Sequence, residues 1–320
     1  MNGENVHTVT VDYIEGVSVR ADSYICSSLQ LCVRSKFKER VFGLTVNGKA
    51  AKASAAVKNG DVLQFELRPS ADSVLPMKPA AEEIPLSVLY EDEFTLILDK
   101  PTGLTVHPAP GHFSGTLVNG LLSYLKEEES DDFEDENRPG IVHRLDKDTS
   151  GVILTAKTRA AADYYASLFR ERKVQKEYRA FLRGILPSGE GKIERRLVRH
   201  RRDRKRFTVT DSPDAGRAAL TFYKELKRWK DRYSLVSFFP QTGRTHQLRV
   251  HAQSVGAPIL GDPIYGRPDA LFPEIRLMLH ACRLTVTLFE EESPRTFEAA
   301  LPPIFEETAA RLDEIFSMRR

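Results

Sequence analysis

Two short segments carry more polar chemistry than packing explains. The first, Gly140-Ile-Val-His-Arg-Leu-Asp-Lys-Asp-Thr-Ser-Gly151, runs directly into the apolar stretch Val152-Ile153-Leu154. An acid at the edge of a core strand, here Asp146 flanked by Arg144 and followed by Thr149, Ser150 and Gly151, stands where loops present functional groups. Residue type alone leaves two readings open: a working carboxylate, or a turn cap paired with Arg144. The second segment, Gln241-Thr-Gly-Arg-Thr-His-Gln-Leu-Arg-Val-His251, follows the apolar YSLVSFF. A strand, a glycine-containing turn and a helix start form a common anion or carboxylate site, with Arg244 at the turn; a plain surface arginine is the other reading. Asp146 and Asp148 could also act as a hydrolytic acid–base pair, but such pairs need environments that drive their pKa values apart, and nothing marks Asp148 as buried.

Strands and helices of ordinary length flank both segments. VLYEDEFTLILDKP and GVILTA read as strands separated by Gly/Pro loops. A helix is predicted after Thr158, running through Tyr165, Leu168 and Phe169. KEYRAFLRG alternates as a strand with Tyr178, Ala180 and Leu182 on one face, and YSLVSFF is another strand. Thr245 is predicted to cap a helix with Leu248, Ala252 and Val255 on its inner side. The last helix carries Phe305, Ala309, Leu312 and Phe316 on one stripe. Strands that do not alternate strictly with helices imply the α+β class, with a mixed, mostly antiparallel sheet.

Ahead of these elements, residues 12–70 read as a separate small unit. Ser18 is predicted to cap a helix whose inner face holds Ala21, Ile25 and Leu29. A second helical stretch spaces Val33, Phe37 and Val41 four apart and spreads Arg34, Lys36, Lys38 and Arg40 around the rest. Asn47-Gly48 signals a tight turn, and VLQFEL alternates as a strand. Residues 69–84 are rich in Pro, Ala and charge and lack periodicity. The expected organisation is therefore a unit at 12–70, a linker at 71–84 and a large domain at 85–320.

The formal net charge is only +2, but its distribution is uneven. Residues 192–206, KIERRLVRHRRDRKR, carry nine Lys and Arg against Glu194 and Asp203, whereas residues 127–136 carry eight acids and no base. Such segregation implies a basic surface for a polyanion and a solvated acidic loop pointing away from it. Cys26, Cys32 and Cys282 form no CxxC pair, and their odd number argues against a disulfide framework. His246 and His251 are five apart, which is not the spacing of a helical metal-ligand pair, so no metal is expected. No apolar run is long enough for a spanning helix, and the N-terminus lacks a secretion signal. The expectation is a cytoplasmic protein with no membrane partner, monomeric by default.

GIVHRLDKDTSGVILTAKT resembles the signature of the RluA/RluD-type family of RNA pseudouridine synthases. The segments IPLSVLYEDEFTLILDKPTGLTVHPAPGHFSGTLVNGLLSYL, VQKEYRAFLRG, QTGRTHQLRVHAQSVGAPILGDPIYG and LHACRL follow in that family's order, over residues 84–290. The N-terminal unit is similar to the alpha-L RNA-binding module, through Arg20-Ala-Asp22, Arg34-Ser-Lys36 and the VNGK turn. The resemblance implies isomerisation of uridine to pseudouridine in structured RNA without a cofactor. Large-subunit ribosomal RNA is the favoured substrate and transfer RNA the other. Asp146 would be the ionised carboxylate, acting as nucleophile or as acceptor of a ribose proton. An adjacent Arg would hold it charged, and the resemblance gives that salt bridge to Arg244. Tyr178 would stack on the flipped base and assist at carbon 5. Arg144 would fill the gap left in the RNA stack, and Leu279 would support the base pocket. Phosphate contacts would come from Arg34, Lys36, Arg199, Arg201, Arg202, Arg204 and Lys205. The rival reading is a non-catalytic RNA-binding or ribosome-assembly factor on the same fold.

Overall fold

The computed structural model describes residues 6–13, 16–29, 31–32, 37–68, 79–108, 114–125, 133, 139–203 and 205–317. Arg34, Lys36, Arg204 and nearly all of the acidic tract at 127–136 lie outside these. The chain divides into two units, Met1–Met77 and Lys78–Arg320. Among the described residues no helix is long and apolar enough to cross a membrane.

The first unit begins earlier than the sequence suggests. Strand β1 (Val6–Thr10) pairs antiparallel with β6 (Val62–Leu67), which also pairs β3 (Val41–Val46). Asn47 and Gly48, both at positive φ (51° and 75°), turn β3 into β4 (Lys49–Ala50), as an Asn-Gly pair favours. The helix expected from Ser18 starts only at Ala21. Ser18–Arg20 forms strand β2 against β5 (Ala56–Lys58), because β-branched Val19 gains a ladder partner there. Helix α1 (Ala21–Ser23) then runs into a wider turn at Tyr24–Ser28, which keeps Ala21, Tyr24 and Ile25 in the core. The second helix, α2 (Phe37–Arg40), ends where Val41 enters β3.

The second unit is built on a large sheet. Its strands are β7 (Val88–Glu91), β8 (Thr95–Lys100), β9 (Ser150–Ala156), β10 (Gln175–Arg183), β11 (Glu190–Arg199), β12 (Phe207–Thr210), β13 (Arg217–Trp229), β14 (Tyr233–Pro240), β15 (Leu279–Thr287) and β16 (Pro294–Glu298). Spatially they run β12-β11-β13-β14-β10-β15-β9-β8-β7, with β16 added to β15. Every pairing is antiparallel except β9 with β15, so the α+β expectation of a mixed, mostly antiparallel sheet holds. Helix α3 (Leu117–Tyr124) holds the end of the expected linker. The Asn119 side chain donates to Ala80 O, and Glu82 N–H donates to Asn119 O. Thr158 caps helix α4 (Arg159–Arg170), whose Ala161, Tyr165 and Leu168 pack on β9. Helix α5 (Gln247–Ser254) is capped by His246 rather than Thr245, and helix α6 (Pro303–Ser317) buries Phe305 and Leu312 in the main core.

The one parallel contact carries the first polar segment. Gly151 opposes Ala281 across β9 and β15 at φ 111°, and a Cβ there would overlap the Ala281 carbonyl. Beside it, Ser150 Oγ donates to His280 Nδ1 at 2.9 Å, while His280 Nε2 donates to Ala299 O at 3.3 Å. Gly151→Ala is therefore expected to lower unfolding free energy by about 3 kcal/mol or more. Gly189→Ala, with ordinary φ and open space, should change it by no more than about 0.5 kcal/mol. Urea unfolding of the two variants checks this.

Candidate active site

The loop from Leu145 to Thr149 reaches the mouth of a cleft of about 580 Å³. Three features hold it. Thr149 N–H donates to Asp146 O, closing a turn at 3.1 Å. His143, stacked on Phe169 at 4.5 Å, accepts the Leu154 N–H on Nε2 at 2.9 Å. Lys100, only 1 % exposed, donates to the carbonyls of Pro101 (2.8 Å), Leu104 (2.9 Å) and Lys147 (3.1 Å). Burial lowers the Lys100 ammonium to about 8, against the pull of Asp148, Asp146 and Asp99. Its three carbonyl acceptors answer its three N–H donors.

The opposite wall is the turn between β14 and α5. Thr242 Oγ1 donates to Gln247 Oε1 and accepts the Leu220 N–H, and Gln247 Nε2 donates to Leu220 O and Thr221 Oγ1. This lattice fixes the start of α5 and turns Arg249 inward, where it is 3 % exposed. Its guanidinium donates to both oxygens of Asp262 at 2.8 Å and, through Nη1, to Asp146 Oδ2 at 3.2 Å. Asp262 also accepts the backbone N–H groups of Ile264 and Tyr265 at 2.9 Å. Burial would raise Asp262, but its bonds to Arg249 hold it below the usual carboxylate range. Burial also works against the Arg249 charge, and its two carboxylates more than reverse that.

The salt bridge to Asp146 thus comes from Arg249 and not, as the sequence suggested, from Arg244. The Arg244 Nε donates instead to Ala218 O at 3.2 Å, because its place in the turn aims the side chain along β13. Tyr178 on β10 and Leu279 at the start of β15 line the same cleft as Asp146, and so do Arg144, which is exposed, and Arg244. Burial first, and the Asp146 charge second, push the Tyr178 phenol well above its ordinary value, so it stays neutral. Arg199, Arg201, Arg202 and Lys205 are exposed along β11 and the β11–β12 turn. Sequence reading missed Lys100, Arg249 and Asp262, and a cationic rim of Arg170, Arg172 and Lys176 where α4 passes into β10. The only cue to that rim was the basic stretch FRERKVQK.

Comparison with known proteins converges on one answer. Residues 94–254 match the family described as RNA pseudouridylate synthase. The chain belongs to this family. The synthase is 36 % identical over 292 residues to the ribosomal large subunit pseudouridine synthase D of Borreliella burgdorferi, covering 88 % of each chain. It is 38 % identical over 305 residues to an uncharacterised RNA pseudouridine synthase of Aquifex aeolicus, covering 89 % of this chain and 94 % of that one. Among solved structures, human RNA pseudouridylate synthase domain containing 4 superposes with a TM-score of 0.55 at 26 % identity, over 71 % of this chain and 92 % of its own. The synthase therefore isomerises uridine to pseudouridine in RNA, as the family resemblance implied.

Two consequences follow for the synthase. Arg249→Met leaves Asp262, whose side chain is fully buried, without a counter-charge, and should cost about 3–5 kcal/mol in urea unfolding. Arg249→Lys keeps the charge but cannot reproduce the planar fork on Asp262, and should recover only part of that loss. Secondly, burial lowers His143 to about 3 and His251 to about 4, the latter aided by Arg195. Both are neutral when folded but titrate near 6.5 when unfolded, so the unfolded chain binds more protons at mildly acid pH. Stability is then full above about pH 6.5 and is lost as pH falls toward those values, by roughly 2–4 kcal/mol between pH 7.5 and 5. Asp99, raised by burial, opposes part of this. Urea unfolding at the two pH values measures the difference, and a flat profile contradicts the neutral buried imidazoles.

Proposed function

We propose that the synthase modifies uridines in large-subunit ribosomal RNA, in the cytoplasm, with Asp146 as the catalytic carboxylate acting on a nucleotide turned out of its helix. The observation that carries this reading is the Arg249 bridge, which holds Asp146 Oδ2 at the cleft and, among the described residues, leaves Oδ1 without a hydrogen bond and available to the ribose. Names of relatives support the substrate: several, including those of Borreliella burgdorferi and Pseudomonas aeruginosa, are large-subunit synthases.

The physical demands follow in order. A stacked uridine is inaccessible, and extruding it costs a few kcal/mol. Exposed cations at the cleft mouth offset this through phosphate contacts, and the β11–β12 basic residues extend that surface. Arg144 fills the vacated place in the stack, since a guanidinium both stacks and donates hydrogen bonds. Inside, the Tyr178 ring and Leu279 hold the base while Asp146 attacks the ribose or takes a ribose proton. The detached base stays against Tyr178, turns and rejoins through carbon 5, displacing Asp146 from the ribose or taking back from it the ribose proton. Burial keeps the phenol neutral, so its hydroxyl can take the carbon-5 proton only while passing its own to the freed ring nitrogen, a relay from carbon 5 to N1. Arg244 acts at the rim on RNA phosphate, not on the carboxylate.

Pseudouridines mapped by carbodiimide labelling and primer extension, in cells lacking the protein, test this reading. Specific large-subunit sites should vanish and return with the wild type but not with Asp146→Asn. Loss confined to transfer RNA would move the substrate, and rescue by Asp146→Asn would remove Asp146 from the chemistry.

A further inference from the structure

One side chain beside the Arg249 bridge has geometry that packing alone does not require. His246 caps α5 with φ 56°, the left-handed region, at a site where its side chain is 16 % exposed. Non-glycine residues at positive φ are uncommon, and strain of this kind gathers at functional sites. The imidazole is held edge-to-face between two rings, Phe207 at 6.0 Å and Tyr265 at 5.6 Å.

A directed hydrogen-bond chain runs through it. The Phe207 backbone N–H donates to Tyr265 Oη at 2.8 Å. Acceptance of the Phe207 N–H leaves the Tyr265 hydrogen available for His246 Nδ1, also at 2.8 Å, and the chain is read in that direction. With Nδ1 accepting, the neutral ring carries its hydrogen on Nε2. That atom lies 3.9 Å from Asp146 Oδ2, the oxygen already bonded by Arg249. Burial keeps His246 below its ordinary value, and the opposing pull of Asp146 is countered by Arg249. A distance of 3.9 Å is about 1 Å too long for a hydrogen bond. The start of the chain, Phe207, opens β12 directly after the basic turn, and the β11–β12 hairpin rests on α5 through Leu197, Val209 and Val250.

We propose that His246 is a positioning residue for Asp146, and that Tyr265 links its position to the basic β11–β12 hairpin. RNA phosphates drawing on that hairpin shift Phe207 and, through Tyr265, bring His246 Nε2–H onto Asp146 Oδ2. Two N–H donors on one oxygen stop the carboxylate from rotating and leave Oδ1 as the reacting atom. The inference rests on Asp146 being the catalytic carboxylate.

The test uses full-length protein and total RNA, tritium-labelled at uridine carbon 5, from cells lacking the protein. Tritium release is followed under single turnover, and RNA affinity is measured separately. His246→Gly suits the φ of 56° and leaves a space between Phe207 and Tyr265 that free imidazole can enter. Tyr265→Phe removes only the hydroxyl and keeps the ring that lies 5.2 Å from the Arg249 guanidinium. Both variants should release tritium about tenfold or more slowly, with RNA affinity within about threefold of wild type, and added imidazole should restore much of the His246→Gly rate. A rate within about twofold of wild type, a loss confined to RNA affinity, or a His246→Gly defect that imidazole does not repair overturns the inference. Asp146→Asn runs alongside. If it stays active, the assignment of Asp146 falls and this inference with it; if it is inactive while both other variants behave as wild type, only this inference falls.

Discussion

A guanidinium inside a protein is tolerated only where its charge and its N–H groups are answered, and most of the cleft is arranged around one such group. Asp262 takes two of the Arg249 donors in a fork, and is itself anchored by two backbone N–H groups. With that side locked, the third nitrogen, Nη1, directs one of its N–H groups at Asp146. Arginine does not lose its proton in proteins, so the cationic half of this bridge is permanent. The position of Asp146 is thereby dictated from helix α5, across more than a hundred residues of sequence, as much as from its own loop. Removing one carboxylate from such a triad costs more than the pair contributes when intact, because the charge left behind stays buried.

The loop that presents Asp146 is correspondingly stiff. Gly151 lets β9 and β15 approach so closely that no side chain fits between them. Lys100 gathers three carbonyls, one of them the residue after Asp146, and Thr102 Oγ1 donates to Asp148 O at 2.9 Å. Histidines serve this scaffold as neutral hydrogen-bond hubs: His143 receives the Leu154 N–H, and His280 joins Ser150 to Ala299. Burial depresses both, which keeps additional positive charge out of the interior of the scaffold. Precision at the site comes from rigid strands and satisfied polar groups, the arrangement a reaction sensitive to sub-ångström placement needs.

Much of this architecture is legible in the sequence. The alternation in KEYRAFLRG and YSLVSFF, the Thr158 cap and the stripe Phe305, Ala309, Leu312, Phe316 all correspond to elements of the structure. The errors have physical causes. Ser18 reads as a helix cap because the ladder partner of Val19, in Ala56–Lys58, is nearly forty residues away and invisible to local pattern. Arg244, at a glycine turn before a helix, is given the pairing by the family resemblance. The left-handed backbone at His246 starts the helix later and turns the next arginine inward. Arg249 between Leu248 and Val250 looks like a solvent-facing break in an apolar run, yet all three are buried. Only the partner, Asp262, reveals why, and no local signal ties it to Arg249. Lys100 hides similarly, since a lysine at a strand end reads as exposed until its three carbonyls are seen.

The charges also divide the work between affinity and selection. Arg249, Asp146 and Asp262 together carry one net negative charge, which taken alone would repel a phosphate. The cations lining the cleft, Arg144, Arg170, Arg172, Lys176 and Arg244, outnumber that charge. Backbone attraction of this kind is indifferent to sequence and weakens with salt, so it cannot choose a uridine. On the function proposed above, choice arises deeper, where Tyr178 and Leu279 line the cleft beside Asp146. On that same function, affinity gained at the rim is available to offset unstacking, while discrimination falls to the immediate surroundings of Asp146. Burial keeps Arg249 for its two carboxylates, where an exposed arginine would serve phosphate as readily.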